Sequence, residues 1–572
     1  MGNSVDCCYT TRQYNQCLFP CIRSCSYTNR RVWYNYDGLE SVQPLIDIIK
    51  PERCVIHKFP RTLVDINEDR EIDSALKSGL NSPGQLAAIC RFASNYGYRV
   101  RAVGTGSSWS RLTSTRDILI DMKNLNRILT AKPTNRNDNL QKEYVDIEVE
   151  GGMQVLSFVE KLDKVYGLAL PMMGNYAGQT MAGVASTSTH GSGYFAGTMS
   201  TSVVGFHLII SNGIQVRLSH GDETFDQCQE KLKHAQFGGG AVEVKSTEVF
   251  RAVAVGLGSM GIIYSITYRC IPVYNIEEER TVVRIGWPGK ESFQVKHKFE
   301  PMFTDIAEGE FFSFFVNPYP EPKSSKHIST GLNRTNSFLE FFLLICSEQL
   351  DFHRARRSHG LLALLNSIFP YHVEYCFSIF YLHNYYLPCS VRTAEFCLPL
   401  SQLDEALGDV IDVANHYAEK FSQYSLLPIY VRIVKTDDLY LSPANAKCPE
   451  GGTNEHACYV EVPFLPGAFG IEEYHKTIED RLYEKFKARP HWGKNHHLNT
   501  GRVLQLYPEL EQWKKVFRLF NATGIFCNEF TYYMGFDTCL ADLVKFDNRA
   551  ASIGIENDGL TEEDVISIEP TK

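Results

Sequence analysis

Arg489 to His497, RPHWGKNHH, gathers three His, a Lys, an Arg and a Trp into one short run. A lysine beside an aromatic can balance negative charge that develops in a transition state. A solvated basic turn has the same composition. His491, His496 and His497 are metal-ligand types. No nearby carboxylate or Cys completes a set, however, and their spacing is not that of a helical pair, so no metal is expected.

Pro171 to Gly193, PMMGNYAGQTMAGVASTSTHGSG, has the opposite character: five Gly, six Ser or Thr, no Lys, Arg, Asp or Glu, and His190 alone able to titrate near neutrality. Glycines let backbone lie against a flat ligand, and hydroxyls bond heteroatoms without adding charge. Such a wall suits a neutral heteroaromatic cofactor such as a flavin, whose reactivity depends on hydrogen bonding. A long ordered loop fits the same composition. GTGSSWS, Gly104 to Ser110, lacks the Lys of a P-loop, yet its backbone N–H groups can form an anion nest for a pyrophosphate. A plain tight turn looks the same. Gly256 to Gly261, GLGSMG, matches GxGxxG in the wrong context: STEVFRAVAV before it reads as a helix and IIYSITY after it as a strand. The dinucleotide fingerprint needs the reverse order, so a helix-to-strand turn is expected.

The surrounding elements follow from periodicity. In NSPGQLAAICRFASNYG, Ser82 can cap, Pro83 suits the first turn, Leu86, Ile89, Cys90 and Ala93 share a face, and Gly97 stops the helix. YRVRAV, DILIDM and EYVDIEVEGG read as strands. A second helix should carry Val155, Leu156, Val159, Leu162 and Val165 on one side and end at Gly167. FHLIISNGIQVRLS reads as a hairpin around Asn212-Gly213. SQLDEALGDVIDVANHYAEKF reads as a long helix. The fold class is α+β rather than strict βαβ alternation.

A chain of 572 residues, 44% hydrophobic and 22% charged, is globular and long enough for two or more domains. Its net charge of −9 argues against a nucleic-acid partner. The 17 Cys are scattered except for Cys7, Cys8, Cys17, Cys21 and Cys25. They read as reduced thiols or lipid-attachment candidates rather than a disulfide framework. MGNSVDCC has neither the basic nor the apolar region of a signal peptide, and Asp6 stands where a myristoylation motif wants Ser or Thr. SFLEFFLLIC and Leu361 to Leu387 are apolar but give no clean spanning run, which leaves peripheral membrane contact open. An intracellular location is expected, either cytoplasmic or on an endomembrane or mitochondrial surface. Residues 1–75 read as a Cys-rich extension and linker, 76–275 as one domain and 276–572 as a second.

In order along the chain, GTGSSWS, DILIDMKNLNRIL, VDIEVEGGMQ, the THGSG stretch, GLGSMGIIYSITY, EFCLPLSQL, PIYVRIVKTDDLYLSP, RPHWGKN and NATGIFCNEF resemble the FAD-dependent aldonolactone oxidases, relatives of the alditol oxidases. The resemblance covers roughly residues 80–535. It implies a PCMH-type FAD-binding domain of two subdomains, followed by an α+β substrate (cap) domain. It also implies oxidation of a sugar 1,4-lactone, with O₂ reoxidising the flavin to give H₂O₂, as in ascorbate-type biosynthesis. Gly104, Thr105, Gly106, Ser107 and Ser108 would hold the pyrophosphate. Asn175, Thr180, Met181, Ala182, Gly183, Ser186, His190 and Gly191 would line the flavin, with Ile262 and Ile263 at the end of the site. His190 would fix the loop. Gly174 stands where a small residue gives O₂ access. Many members attach FAD through a His in GxGHS; Ser107 stands there, so non-covalent FAD is expected. Glu-x-Arg is replaced by Tyr430-Val431-Arg432. Arg432 and Lys494 would stabilise negative charge, and Asn175, Tyr430, Arg432 and Lys494 would meet substrate. His491 would hold its turn in shape. The exchange at Tyr430 equally suits an alditol, carbohydrate or secondary-metabolite oxidase. A dehydrogenase using another acceptor shares the fold, and a non-catalytic flavoprotein would have lost the cationic pair.

Overall fold

The computed structural model describes residues 82–279 (except 116), 311–316, 318–319, 371–375, 392–421, 428–464 and 470–536, with three short strands before them. The N-terminal Cys cluster, SFLEFFLLIC, most of 361–387 and everything after 536 lie outside the described residues.

Strands β1 (Trp33–Tyr34) and β2 (Ser41–Val42) pair antiparallel. β3 (Asp47–Ile49) joins a parallel sheet with β4 (Val100–Val103) and β5 (Ile118–Asp121), β5 being central. Helix α1 (Ser82–Tyr96) buries the expected face of Leu86, Ile89, Cys90 and Ala93, and Gly97 ends it at φ 72°. A left-handed glycine satisfies the last helical carbonyls without a Cβ penalty.

The second subdomain runs β6 (Val145–Glu150), α2 (Val155–Lys161), β7 (Leu168–Ala169), α3 (Met181–Ser186), β8 (Val203–Ile209), β9 (Gln215–Ser219), α4 (Phe225–Lys233), β10 (Val242–Lys245), α5 (Thr247–Ala254) and β11 (Ile262–Pro272). Its sheet order is β10-β9-β8-β11-β6, with β7 also on β11. β8 and β9 form the expected antiparallel hairpin, with Gly213 at φ 82° in its tip. The Gly256–Gly261 segment connects α5 to β11, which is the helix-to-strand order read from sequence. The second helix differs in one respect: after Lys161 it widens into a π turn over Leu162–Tyr166 before Gly167. Leu156 and Val165 are only partly buried, while Phe158 joins Val155, Val159 and Leu162 inside.

The second half contains β12 (Asn275–Glu279) paired with β14 (Tyr371–Tyr375), and between them in sequence β13 (Ser313–Val316). β15 (Arg392–Pro399), α6 (Leu403–Phe421), β16 (Ile429–Lys435), β17 (His456–Phe464), α7 (Ile471–Phe486) and β18 (Arg489–Pro490) follow. Strands β13-β16-β17-β15-β18 make an antiparallel sheet. Strand side chains alternate between faces. Val431, Ile433, Val460, Val462, Ala394 and Phe396 therefore share one face and pack with Leu407, Val410 and Ile411 of α6 and Tyr474, Ile478 and Leu482 of α7.

The final helices, α8 (Thr500–Leu506), α9 (Leu510–Phe520) and α10 (Glu529–Tyr533), do not continue that layer. Val503, Leu510, Trp513, Phe517 and Phe530 belong to the core of the first half, beside Phe250 and Val253. The sequence division at 275 is therefore not the division of the packing: the chain crosses to the cap sheet and returns. Among the described residues no helix is long and apolar enough to cross a membrane. Cys90, Cys228, Cys270, Cys397, Cys448, Cys458 and Cys527 are free thiols.

Candidate functional site

The front of the cap sheet carries what its back excludes. Register places Ser313 opposite Arg432 and Phe315 opposite Tyr430 on β13 and β16. Tyr430 is opposite Glu461, and Arg432 opposite Tyr459, on β17. Glu461 is in turn opposite Glu395 on β15. One face thus presents two phenols, two carboxylates and a guanidinium in adjacent rows. Arg432 Nη2 donates to Glu461 Oε2 at 2.7 Å and also pairs with Glu395. Lys494 Nζ donates to Glu461 Oε1 at 2.8 Å and lies 4.7 Å from the Trp109 ring centroid. The expected pair, Arg432 and Lys494, is therefore brought together through one shared carboxylate. Glu395 and Glu461 were not singled out from sequence, although each is a lone acid in an alternating apolar strand, TAEFCLP and CYVEVPF.

Glycine-rich loops of the first half close on this face. Asn175 Nδ2 donates to Tyr430 Oη at 3.2 Å, and Tyr430 Oη to Ser313 Oγ at 3.2 Å. Phe315 stacks on the Tyr430 ring, with centroids 4.2 Å apart. Gly193 N–H donates to Ile433 O at 2.8 Å, and Lys435 N–H to Gly193 O at 3.1 Å, so the THGSG loop runs as a partner of β16. The GTGSSWS and HWGK turns clasp one another: Trp109 N–H donates to Gly493 O at 2.9 Å and Ser110 Oγ to Trp492 O at 2.5 Å.

His190 lies where the THGSG loop meets the cap sheet. It is buried against the Tyr459 ring at 3.4 Å between centroids, and its Nε2 is 3.1 Å from Glu395 Oε1. Its Nδ1 donates to Gly191 O at 2.9 Å. The loop folds onto the cap sheet, and this brings the ring to Glu395 and Tyr459. Burial lowers the His190 pKa against the pull of Glu395. Burial alone would raise Glu395, but Arg432 and then His190 hold its carboxyl well below the usual range. His491 holds its turn as expected, its Nδ1 accepting from Gly493 N–H at 3.0 Å. Burial pushes it down to about 3, so it is a neutral acceptor.

The expectation that no carboxylate lies near RPHWGKNHH is also corrected: Glu395 meets His190 and His491 with ligand-type atoms within 4.8 Å of one another. Arg432 already pairs with that carboxylate, and its fixed positive charge opposes a metal cation at the same place.

The other expected wall residues divide. Gly104 lies against Thr180, where a Cβ would meet Thr180 Oγ1 at 2.3 Å. Thr105 Oγ1 and Ser107 Oγ are 3.0 Å apart. Gly106 has φ 70°. Among the described residues, no backbone carbonyl accepts from the N–H groups of Thr105, Gly106, Ser107 or Ser108, and Trp109 Nε1 is buried without a partner. A turn with free donors, no side-chain charge and no room for a Cβ fits a pyrophosphate-bearing cofactor. Gly183 also abuts Thr180, Gly151 is crowded between Ala182 and Ile263 O, and Gly191 is pressed against Met173 O. Met181 and Ile262 are fully packed into cores, and the Ser186 hydroxyl donates back to Ala182 O at 2.8 Å, so these three serve the wall from behind. At Gly174 a Cβ would lie 3.0 Å from Thr189 Cγ2 and 3.3 Å from His190 O, so loop packing favours glycine there too.

Residues 266–534 match a family model described as D-arabinono-1,4-lactone oxidase, and residues 79–219 one described as FAD binding domain. An L-gulono-1,4-lactone dehydrogenase of Mycobacterium tuberculosis is 24% identical over 467 residues, spanning 79% of this chain and 93% of its own length. An L-gulonolactone oxidase of Bos taurus is 24% identical over 467 residues, spanning 78% and 92%. A D-arabinono-1,4-lactone oxidase of Kluyveromyces lactis is 31% identical over 203 residues, spanning 36% and 33%. Among solved structures, a histidine-to-alanine variant of cholesterol oxidase from Brevibacterium sterolicum superposes with TM-score 0.60 at 13% identity, covering 90% of this chain and 99% of that one. This last likeness concerns the fold alone.

Proposed function

We propose that the chain is an FAD-dependent aldonolactone oxidase that oxidises a secondary alcohol of a sugar 1,4-lactone, with the face where the THGSG loop meets the cap sheet as the active site. The observation that carries this reading is Arg432: two carboxylates fix one end of its guanidinium, while its buried Nε has no acceptor among the described residues. A fixed cation with a spare donor is suited to an oxygen that gains negative charge during reaction. Lys494 stands on the far side of Glu461 and adds a second positive charge.

Asn175, Ser313 and Tyr430 form a neutral hydrogen-bonding rim for lactone hydroxyls, and the stacked Phe315–Tyr430 pair offers an apolar surface to C–H groups. The free N–H groups of residues 105–108 would hold the pyrophosphate, and the uncharged residues from Gly174 to Gly191 would line the ring system. FAD, when bound, supplies the hydride acceptor. With Ser107 in place of His, the cofactor is held without a covalent bond. Gly174 favours O₂ as the final acceptor, giving H₂O₂ and an ascorbate-type product. The exchange of a carboxylate for Tyr430 favours, as a second reading, a related polyol or carbohydrate substrate.

Acid precipitation of the yellow holoprotein should leave FAD in the supernatant; a yellow pellet would sink the non-covalent assignment. Anaerobic mixing with L-gulono-1,4-lactone, D-arabinono-1,4-lactone and open-chain alditols should bleach the flavin band with a lactone first. Air should then restore the band with release of H₂O₂. Bleaching by alditols alone would select the second reading, and reduced flavin that persists in air would select a dehydrogenase.

A further inference from the structure

An alcohol oxidation must dispose of a proton as well as a hydride, and the position expected to hold a carboxylate beside Arg432 holds Tyr430. The sheet supplies a carboxylate by another route. Glu461 is the direct cross-strand partner of Tyr430 on β17. Directly opposed residues of an antiparallel pair project to the same face, with Cβ atoms about 5 Å apart. Glu461 therefore occupies the same row, one strand over. Its two oxygens contact Arg432 at 2.7 Å and Lys494 at 2.8 Å. Its side chain keeps 13% of its accessible surface, against 1% for Glu395, which lies deeper between His190 and Arg432. Tyr430 Oη is engaged by Asn175 and Ser313 instead.

We propose that Glu461 is the general base of this enzyme, a carboxylate relocated by one strand and held by the two cations that also serve the reacting oxygen. This rests on the alcohol-oxidation reading above. In the oxidation the substrate's hydroxyl proton would pass to a Glu461 oxygen as the C–O bond becomes C=O, while bound FAD would supply the acceptor for the hydride. Glu461 then returns the proton to water. Each oxygen keeps a lone pair for this transfer, because one ion-pair contact uses only one of its acceptor sites. Arg432 and Lys494 fix the carboxylate's orientation, and removing Glu461 would leave both cations without this counter-charge.

Glu461→Gln should slow anaerobic flavin reduction by roughly 10²–10³-fold and flatten the acid limb of its pH profile, as loss of a general base does. The exchange Glu461→Gln with Tyr430→Glu should regain at least about tenfold of that loss and restore the limb, since the carboxylate returns to the same row. A single variant within about threefold of wild type with its acid limb unchanged overturns the proposal. So does a double variant no faster than the single one. A second measurement needs no substrate: sulfite, an anion that adds to oxidised flavin, should bind Glu461→Gln roughly tenfold more tightly, because two nearby cations lose a compensating charge. The double variant should bind it as wild type does. Unchanged sulfite affinity overturns the placement of Glu461 among the cations that face the cofactor. If no lactone or polyol reduces the wild-type flavin, the substrate reading and the base role fall together, while sulfite still decides the charge arrangement. Should the amide variant fail to fold, Glu461→Asp must keep FAD and the acid limb while slowing reduction, or the proposal fails.

Discussion

Asp437 shows how much one buried carboxyl can reveal about the joint between the halves. Its Oδ2 accepts from Ser442 Oγ at 2.7 Å and Thr198 Oγ1 at 3.4 Å, and its Oδ1 from Leu439 N–H at 3.1 Å. Burial pushes it up to about 6, against those hydrogen bonds. In the unfolded chain the group titrates near 3.8. Between these values the native state retains a proton that the unfolded state has released, so stability falls as pH rises through that window. The full cost, about 3 kcal/mol, is reached above the folded pKa. Asp437→Asn should therefore gain on wild type between pH 4 and 6 in thermal melts, with the difference levelling off above; a constant difference would refute the assignment. Site residues were legible in proportion to how locally their role is set. The free donors of residues 105–108 and the crowding at Gly104 and Gly191 follow from glycine placement, which a sequence displays. Glu395, Glu461 and the approach of His190 to them depend on strand register and on which loop closes over which face. No local spacing contains that information.

At the level of elements, alternation within β15, β16 and β17 already separates a helix-facing row from a charged row, and the boundaries of α1, α6 and the β8–β9 hairpin follow from caps, glycines and period. The π turn after α2 was not legible, because a single extra residue per turn leaves the apolar pattern nearly unchanged. Nor was the role of Arg101, which in sequence is one polar residue in YRVRAV. Its guanidinium is buried, has no carboxylate partner among the described residues, and is pinned by carbonyls: Leu112 O at 2.9 Å, Gly258 O at 2.7 Å, Phe526 O at 3.0 Å and Leu257 O at 3.2 Å. Burial lowers it to about 10. One side chain on β4 thus ties the turn after GTGSSWS, the GLGSMG turn and the C-terminal segment. Arg101→Met would leave several carbonyls buried and unsatisfied, at about 1–3 kcal/mol each before relaxation. A net loss of about 3–5 kcal/mol in urea unfolding, with weakened FAD retention, is expected. A loss below about 1 kcal/mol would show that the turns hold themselves.

Across the whole molecule the chain is a clasp: it builds the two sheets of the first half, leaves for the cap sheet, and returns to seal the half it started from. Val100 N–H donates to Ile525 O at 2.7 Å and Ser211 N–H to Phe520 O at 3.0 Å, so C-terminal backbone binds the edge strand β4 and the turn between β8 and β9. The amphipathic pattern of residues 500–536 shows that one face is buried but not against which half, and that choice is made by tertiary packing. Trp513 tests it. The side chain is fully buried, its Nε1 donates to Val255 O at 3.1 Å at the end of α5, and its ring packs on Phe517 and Phe536. Trp513→Ala removes a large core side chain, which costs about 3–5 kcal/mol where the surroundings collapse only partly. If the helices seal the cofactor-binding half, that loss must appear as earlier FAD release on denaturation, in step with loss of secondary structure. If they belonged to the cap layer, FAD release would keep its wild-type midpoint while the cap unfolded early. The matched loss is expected, because Val255 leads directly into the Gly256–Gly261 turn, whose carbonyls Arg101 joins to the GTGSSWS side of the site.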